Sequence, residues 1–231
     1  MGLKIGIIGK PTKGKSASVV PNEAIGIIGL NPKDTVILSF SGKMMPVKGA
    51  NTLYPRDKKI SEGGNFVHLK DVRDVEKIIT YISEEKPEIK NIVFEDMQYS
   101  MSMEFMARAK EKSYDKFTDI GVNFAAWTNA LQNARPDLYG WIIWHPEENN
   151  SGELKMKTIG AMVDNYLSPE GLLDIILYAD CSKGADNKMK YYFTTNNDGV
   201  FPARSPQGMF EDIQVPNDLG FVRKKIDEYY N

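Results

Sequence analysis

Short runs of consecutive apolar residues recur along this chain, separated by stretches in which apolar positions follow helical spacing. Runs rich in Ile, Val and aromatic residues are typical of strands buried on both faces of a sheet. They predict strands over residues 4–8, 34–40, 65–69, 91–94, 139–144 and 172–178, with residues 190–195 pairing at the sheet edge.

The longer stretches predict helices. Within residues 71–85 the apolar positions are 72, 75, 78, 79 and 82, which a helix brings to one face. Further helices are predicted over residues 101–112 and 116–133, with a short one from about residue 15. A final helix follows residue 216, with Asn217 or Asp218 near its N-cap. Residues 41–61 are predicted as an irregular loop, and residues 147–153 as a polar loop tip.

Strands that alternate with helices are typical of an α/β fold with a mostly parallel central sheet flanked by helices. We find no internal repeat, low-complexity segment or linker in the 231 residues. The chain is therefore predicted to form a single domain over residues 1–231.

Composition narrows the class of protein. With 42% hydrophobic and 26% charged residues, the chain is too apolar to be disordered, and no apolar run approaches the roughly 20 residues of a membrane span. A net charge of −2 excludes a globally basic coat for nucleic acid but not a local basic groove. Cys181 is the single cysteine, so an intramolecular disulfide is excluded and a reducing cytoplasm is expected. We expect Cys181 to be a small buried residue at a strand end.

The run GKPTKGKS matches the phosphate-loop pattern G-x-x-x-x-G-K-[ST] and follows the first predicted strand. Glycines let backbone N–H groups wrap around phosphate oxygens, Lys15 neutralises the β- and γ-phosphates, and Ser16 offers a hydroxyl to Mg²⁺. A helix beginning here would add its positive dipole end. For Lys10 and Lys13 a solvated position is favoured over a phosphate contact. The predicted ATP-binding residues are Gly9, Lys10, Pro11, Thr12, Lys13, Gly14, Lys15, Ser16 and Ala17.

Two acids, Glu95 and Asp96, end the fourth predicted strand. One of them is expected to hold Mg²⁺ through water and the other to orient or deprotonate the attacking water. The usual order of such pairs favours Glu95 for Mg²⁺ and Asp96 for the water. The reverse assignment stays open, because the two side chains differ by one methylene.

Two further residues are candidates on position alone. His145 ends the fifth predicted strand, where an imidazole could donate a hydrogen bond to the γ-phosphate; an exposed strand-end histidine is the alternative. Arg204 follows the last predicted strand and could reach the phosphates of a neighbouring subunit, or lie on the surface. The three tryptophans are predicted to be core residues.

Several segments together resemble phage-encoded RecA-like ATPases of the core-only type, classed as single-strand annealing or recombination ATPases. The segments are VFEDMQYSMSMEFM, YDKFTDIG, KTIGAMVDNYLSPEG, ARSPQGMF and VPNDLGFVRKKIDEYY. The resemblance implies a RecA-like P-loop core that binds ATP and Mg²⁺ in the host cytoplasm. It also implies single-stranded DNA contacts in the loops at residues 98–103 and 147–157.

The chain departs from this family in two places. Members commonly carry two aspartates where this chain has Glu95 and Asp96. The second expected DNA loop is acidic, with three glutamates against Lys155 and Lys157, and nucleic-acid affinity rests largely on Lys and Arg.

The leading functional hypothesis is a P-loop ATPase that acts on single-stranded DNA in phage recombination, annealing or replication. The alternative is a nucleotide-dependent assembly protein with little turnover. A small-molecule kinase is a third class, but the sequence shows no arginine cluster for a kinase lid. We expect a homo-oligomer in which Arg204 completes a neighbour's site, and no membrane association.

Overall fold

An eight-stranded sheet forms the centre of the protein. The structure is a computed structural model and describes residues 2–56, 58–149, 152–159, 163, 167–197, 199 and 202–230. The sheet has the order β10-β9-β8-β1-β5-β4-β2-β3, and β6 and β7 form a separate hairpin. The strands are β1 (Leu3–Ile8), β2 (Thr35–Ser39), β3 (Phe66–His68), β4 (Asn91–Glu95), β5 (Tyr139–Trp144), β6 (Pro146–Glu148), β7 (Leu154–Met156), β8 (Ile175–Lys183), β9 (Met189–Thr194) and β10 (Gln214–Pro216).

The six strands from β8 to β3 are parallel, and β9 and β10 extend the sheet in antiparallel fashion. Strands β2, β4 and β5 are buried at every position, which explains their unbroken apolar runs. The predicted α/β class with a mostly parallel sheet flanked by helices is confirmed.

Helices cover both faces of the sheet. Those in the described part of the chain are α1 (Ala50–Leu53), α2 (Arg73–Glu85), α3 (Gln98–Ala107), α4 (Asp115–Asn133) and α5 (Leu219–Tyr230). On one face α2, α3 and α4 enclose a core that contains Trp127 and Trp144. On the other face α5 packs its apolar side, with Val222 and Ile226, against a core that contains Trp141. All three tryptophans are buried, as predicted.

Strand order brings the predicted functional side chains together at the carboxyl ends of the parallel strands. From β1 the chain crosses β5 and β4 to reach β2, and it later returns to place β8 on the opposite side of β1. In open α/β sheets, ligands bind at the carboxyl ends of the strands, at the point where the chain places later strands on opposite sides of the first. The phosphate loop follows β1, the two acids lie at the end of β4 and His145 follows β5, so all three groups lie at the carboxyl ends of these strands.

The phosphate loop is not followed by an α-helix. Only a 3-10 turn, Ala17–Val19, is present, and Val20 is already extended. Pro21 explains the difference, because proline disfavours helical geometry in the preceding residue and cannot donate a helical hydrogen bond. The prediction that a helix dipole acts at this loop is therefore wrong.

The first region expected to be a DNA-binding loop is helical instead. Helix α3 begins at Gln98, and Gln98, Ser100 and Met101 are buried. Met101 belongs to the core beneath α4, so a loop at residues 98–103 is excluded. The second region, residues 147–157, forms most of the β6–β7 hairpin, of which residues 150 and 151 lie outside the described residues.

Smaller differences concern the remaining elements. Residues 41–61 contain α1 and part of a 3-10 turn, Ile60–Glu62, and their other described residues are irregular. Strand β9 has a neighbour on each side, so β10 rather than β9 forms the edge. Cys181 is only half-buried and lies within β8, not at a strand end.

None of the helices in the described part of the chain combines the length and apolar character needed to cross a bilayer.

Candidate nucleotide site

A cavity of about 830 Å³ opens at the carboxyl edge of the sheet, above β1, β4 and β5. The structure brings together here most of the residues predicted from sequence. Those that line the cavity are Pro11, Thr12, Lys13, Gly14, Lys15, Ser16, Ala17, Glu95, Asp96 and His145. Gly9 and Lys10 begin the loop but are not part of the cavity wall.

The phosphate loop adopts a conformation that glycine makes possible. Gly14 has φ +84° and Thr12 has φ +68°, in the left-handed region that most residues avoid. A Cβ on Gly14 would lie 2.8 Å from Asn217 Oδ1 and 3.0 Å from the Tyr191 ring. Glycine at this position is therefore required by both backbone conformation and close packing.

The Lys15 side chain forms hydrogen bonds back to its own loop. Its buried ammonium group donates to the carbonyl oxygens of Gly9 at 2.6 Å and Lys10 at 3.0 Å. Burial lowers the pKa of Lys15 to about 8, although the charges of the two acids oppose the shift. An anion placed in the loop would stabilise the charged form of this lysine.

Glu95 faces the phosphate loop from the end of β4. Its Oε1 accepts a hydrogen bond from the Ser16 hydroxyl. Burial, with the nearby charge of Asp96, raises the pKa of Glu95 to about 7. Its second oxygen, Oε2, is buried and has no hydrogen-bond partner among the described residues.

The pair of Ser16 and Glu95 fits a Mg²⁺ ion. Hydroxyl and carboxylate oxygens are ligands of the hard type that Mg²⁺ takes, and the ion keeps several waters, so few protein ligands suffice. The carboxylate oxygen without a partner is what such an ion would satisfy. This geometry favours Glu95, more than Asp96, on the metal side of the site.

Asp96 lies on the other side, beside His145. Its backbone is left-handed, with φ +53°, and His145 Nε2 lies 3.2 Å from its Oδ1. Burial opposes ionisation of Asp96. The hydrogen bond and charge of His145 outweigh burial and, with the charges of two nearby lysines, hold the pKa of Asp96 below its usual value. Asp96 is thus a carboxylate at neutral pH, available to orient a water.

The two flanking lysines of the loop have other partners. Lys13 Nζ lies 2.6 Å from Asp180 Oδ1 of β8, and the hydrogen bond to Asp180 raises the pKa of Lys13. Lys10 Nζ lies 3.5 Å from Glu148 Oε1, with both side chains more than half exposed. The exposed position of Lys10 agrees with the solvated position favoured from the sequence. Lys13 differs, because its side chain is only 28% exposed, pairs with Asp180 and lines the cavity.

Arg204 lies apart from the cavity. Its main chain bridges to Ile176 of β8, which pairs with Gly6 in the middle of β1. Its guanidinium group donates to the carbonyl oxygens of Glu170 and Leu173 within the same chain. To act on a neighbouring subunit, the side chain would first have to leave these carbonyls.

Several cavity residues were missed from the sequence. Lys43 follows β2, Tyr191 lies on β9, and Asp218 immediately precedes α5. Apolar side chains, including Ile25 and Met44, complete the wall. Asp218 was detectable from its position before the final helix, whereas nothing local distinguishes Lys43 from other loop lysines.

No family model matches the chain, and no curated protein matches it. Among solved structures, a KaiC-like protein from the hyperthermophilic archaeon Pyrococcus horikoshii is similar, with a TM-score of 0.42 and 12% sequence identity. The alignment covers 83% of this chain and 77% of that chain. A likeness at this level carries no argument about what this chain does.

Proposed function

We propose that this chain binds ATP with Mg²⁺ and hydrolyses it. One observation carries the proposal: Lys15, Ser16, Glu95 and Asp96 converge on a single cavity although the loop and the acids are about 80 residues apart. A phosphate-loop lysine, a hydroxyl next to it and two acids at a neighbouring strand end form the set of groups that phosphoryl transfer to water requires.

Each group has a distinct role in this proposal. Lys15 exchanges its loop carbonyls for the β- and γ-phosphate oxygens. Ser16 and Glu95 would hold Mg²⁺, which would neutralise charge on the phosphates. Asp96, kept ionised by His145, orients the attacking water and accepts its proton.

The cavity does not favour a small-molecule kinase. Its cationic side chains are Lys13, Lys15 and Lys43, and no arginine occurs among the described residues that line it. A kinase acceptor would need such groups around its own charge.

The experiment compares two lysines of one loop. Lys15→Ala should abolish tight binding of a fluorescent ATP analogue and release of phosphate from ATP. Lys10→Ala is the matched control, because Lys10 is exposed and outside the cavity wall, and it should retain both. Equal behaviour of the two variants would refute the site. Binding without turnover in the wild-type protein would favour the alternative of a nucleotide-dependent assembly protein.

A finer proposal is that the ATPase is a RecA-like core that acts on single-stranded DNA as assembled copies. It is supported by the segments that resemble phage annealing and recombination ATPases. The test is phosphate release with and without single-stranded DNA, at constant protein concentration. Stimulation supports the proposal, and an unchanged rate counts against it.

A further inference from the structure

Lys43 is the third lysine of the cavity wall and the one with the most exposed side chain. It lies in the segment between β2 and α1, and its side chain is 67% exposed. Its ammonium group lies 3.6 Å from Asp96 Oδ2 and 5.6 Å from the centre of the Tyr99 ring. Lys13 and Lys15, in contrast, are engaged by Asp180 and by loop carbonyls.

The backbone before Lys43 is anchored while its side chain extends into solvent. The Gly42 N–H donates to Ser39 Oγ at 3.2 Å, and the Lys43 N–H lies 3.4 Å from Ser41 Oγ. Gly42 has φ +58°, and a Cβ there would meet the His68 ring at 2.7 Å. Close packing and hydrogen bonding thus hold the backbone at Gly42, while the Lys43 side chain extends into solvent.

The sheet places Lys43 across the acids from Lys15. Strand β2 pairs with β4 on the side away from β5 and β1, with Ser39 opposite Glu95. Asp96 is consequently approached by His145 at one carboxylate oxygen and by Lys43 at the other. A phosphoryl group bound between Lys15 and Asp96 would have Lys43 on its outer side.

The contact of Lys43 with Asp96 is weak. At 3.6 Å and with the lysine mostly exposed, solvent screening leaves little stabilisation in such a pair. An anion in the cavity competes readily for this ammonium group. During transfer, negative charge spreads over the three equatorial oxygens of the phosphoryl group, which gives the lysine a stronger partner than Asp96.

We propose that Lys43 is the cation with which this chain stabilises the phosphoryl group during transfer, so that no arginine from a neighbouring copy is needed. The inference rests on the proposed ATPase function. The oxygen of water forms the bond to the γ-phosphorus, and the bond from phosphorus to the bridging oxygen breaks with its electron pair left on ADP. One proton of the water passes to Asp96 and then to solvent. Lys43 holds charge and transfers no proton.

The test separates transfer from binding. Lys43→Ala should lower kcat by about 10²–10³-fold, the scale for losing one transition-state donor. The dissociation constant for a fluorescent ATP analogue should stay within a few-fold of wild type. Trapping of ADP with aluminium fluoride, which mimics the transferring group, should be lost. If Lys43 had only a structural role, Lys43→Ala would change trapping and ATP binding together.

Two variants serve as controls. Lys48→Ala changes an exposed lysine of the same segment that is outside the cavity wall, and it should match wild type. Lys43→Arg keeps the charge and should recover part of kcat. Thermal melting of each variant checks that the fold is retained.

The outcomes distinguish this inference from the proposed function. An active wild type with unchanged kcat and trapping in Lys43→Ala overturns the role of Lys43 alone. So does a loss of rate in Arg204→Ala that is restored by mixing with Lys15→Ala, because the cation would then come from a neighbour. A wild type that binds no ATP, or does not hydrolyse it, overturns both.

Discussion

At the residue level, burial shifts the Glu95 carboxyl group toward its neutral form. Its pKa is raised from 4.5 to about 7 in the folded protein, so the folded state binds more protons than the unfolded state between these values. The contribution of Glu95 to stability is therefore fully present below pH 4.5 and is lost as pH rises through about 7. The loss amounts to about 3 kcal/mol.

The measurement is urea unfolding of the metal-free protein at pH 5 and pH 8, in the presence of a chelator. The difference between wild type and Glu95→Gln reports the titration of Glu95 together with its coupling to Asp96 and Lys15, because the amide does not titrate. We expect wild type to lose more stability than the variant as pH rises. Parallel pH dependences of the two proteins would contradict the raised pKa.

Asp96 and Glu95 should give different defects when neutralised. Asp96→Asn should retain nucleotide binding and lower kcat by roughly 10²-fold or more, the usual scale for lost general-base work. Glu95→Gln should instead raise the Mg²⁺ concentration needed for activity, because Glu95 faces Ser16. Magnesium titrations of the hydrolysis rate distinguish the two, and exchanged phenotypes would reverse the assignment.

At the scale of the element, Asp218 joins the start of α5 to the segment that follows the phosphate loop. Its Oδ1 accepts from the N–H groups of Gly220 at 2.8 Å and Gly29 at 2.9 Å, and its Oδ2 accepts from Ile28 at 2.7 Å. The residue is thus a helix cap and a long-range anchor at once. The preceding residue, Asn217, has its side-chain amide nitrogen 3.5 Å from the carbonyl oxygen of Lys13 in the loop.

Asp218→Ala should lower the free energy of unfolding by about 2 kcal/mol or more, because a cap is lost and buried N–H groups lose their acceptor. Asp218→Asn is the matched variant. It keeps an oxygen that can accept from the N–H groups of both Gly29 and Gly220, so the loss of stability should be smaller. Urea denaturation measures both, and equal stabilities of wild type and Asp218→Ala would show that the anchor is unimportant.

The agreement between predicted and observed elements depends on how local each signal is. Strand β5 begins and ends where the apolar run does. The residues of a strand buried on both faces are mostly apolar, so the run marks the whole strand. Helix α3 begins three residues before its predicted start, since Gln98 and Ser100 are polar yet buried by tertiary contacts. Strand β10 has three residues and was missed because its pairing with β9 is non-local.

At the scale of the whole molecule, the proposed interaction with single-stranded DNA is expected to be weak. In the β6–β7 hairpin, Lys155 Nζ lies 3.2 Å from Glu147 Oε1, so part of the basic charge is already neutralised within the chain. Replacing Lys155 and Lys157 with Ala should reduce the slope of log affinity against log salt by about one unit per lost phosphate contact.

Fluorescence anisotropy of labelled single-stranded DNA over a range of salt concentrations provides this measurement. Lys77→Ala in α2 and Lys224→Ala in α5 are the controls, because both are exposed lysines outside the hairpin. They should leave the slope unchanged. A slope that responds to the controls but not to the hairpin variant would move the DNA surface away from the hairpin.

Local patterns along the chain were enough to predict the α/β class, most of the elements and the phosphate-loop motif, because periodicity, proline and glycine act over a few residues. Three contacts are visible only in the folded chain: Glu95 with Ser16, Lys43 with Asp96, and Arg204 with carbonyl oxygens of its own chain. These contacts depend on the order in which strands pair. Strand order is set by the burial of whole faces, so a short stretch of sequence does not record which loops become neighbours.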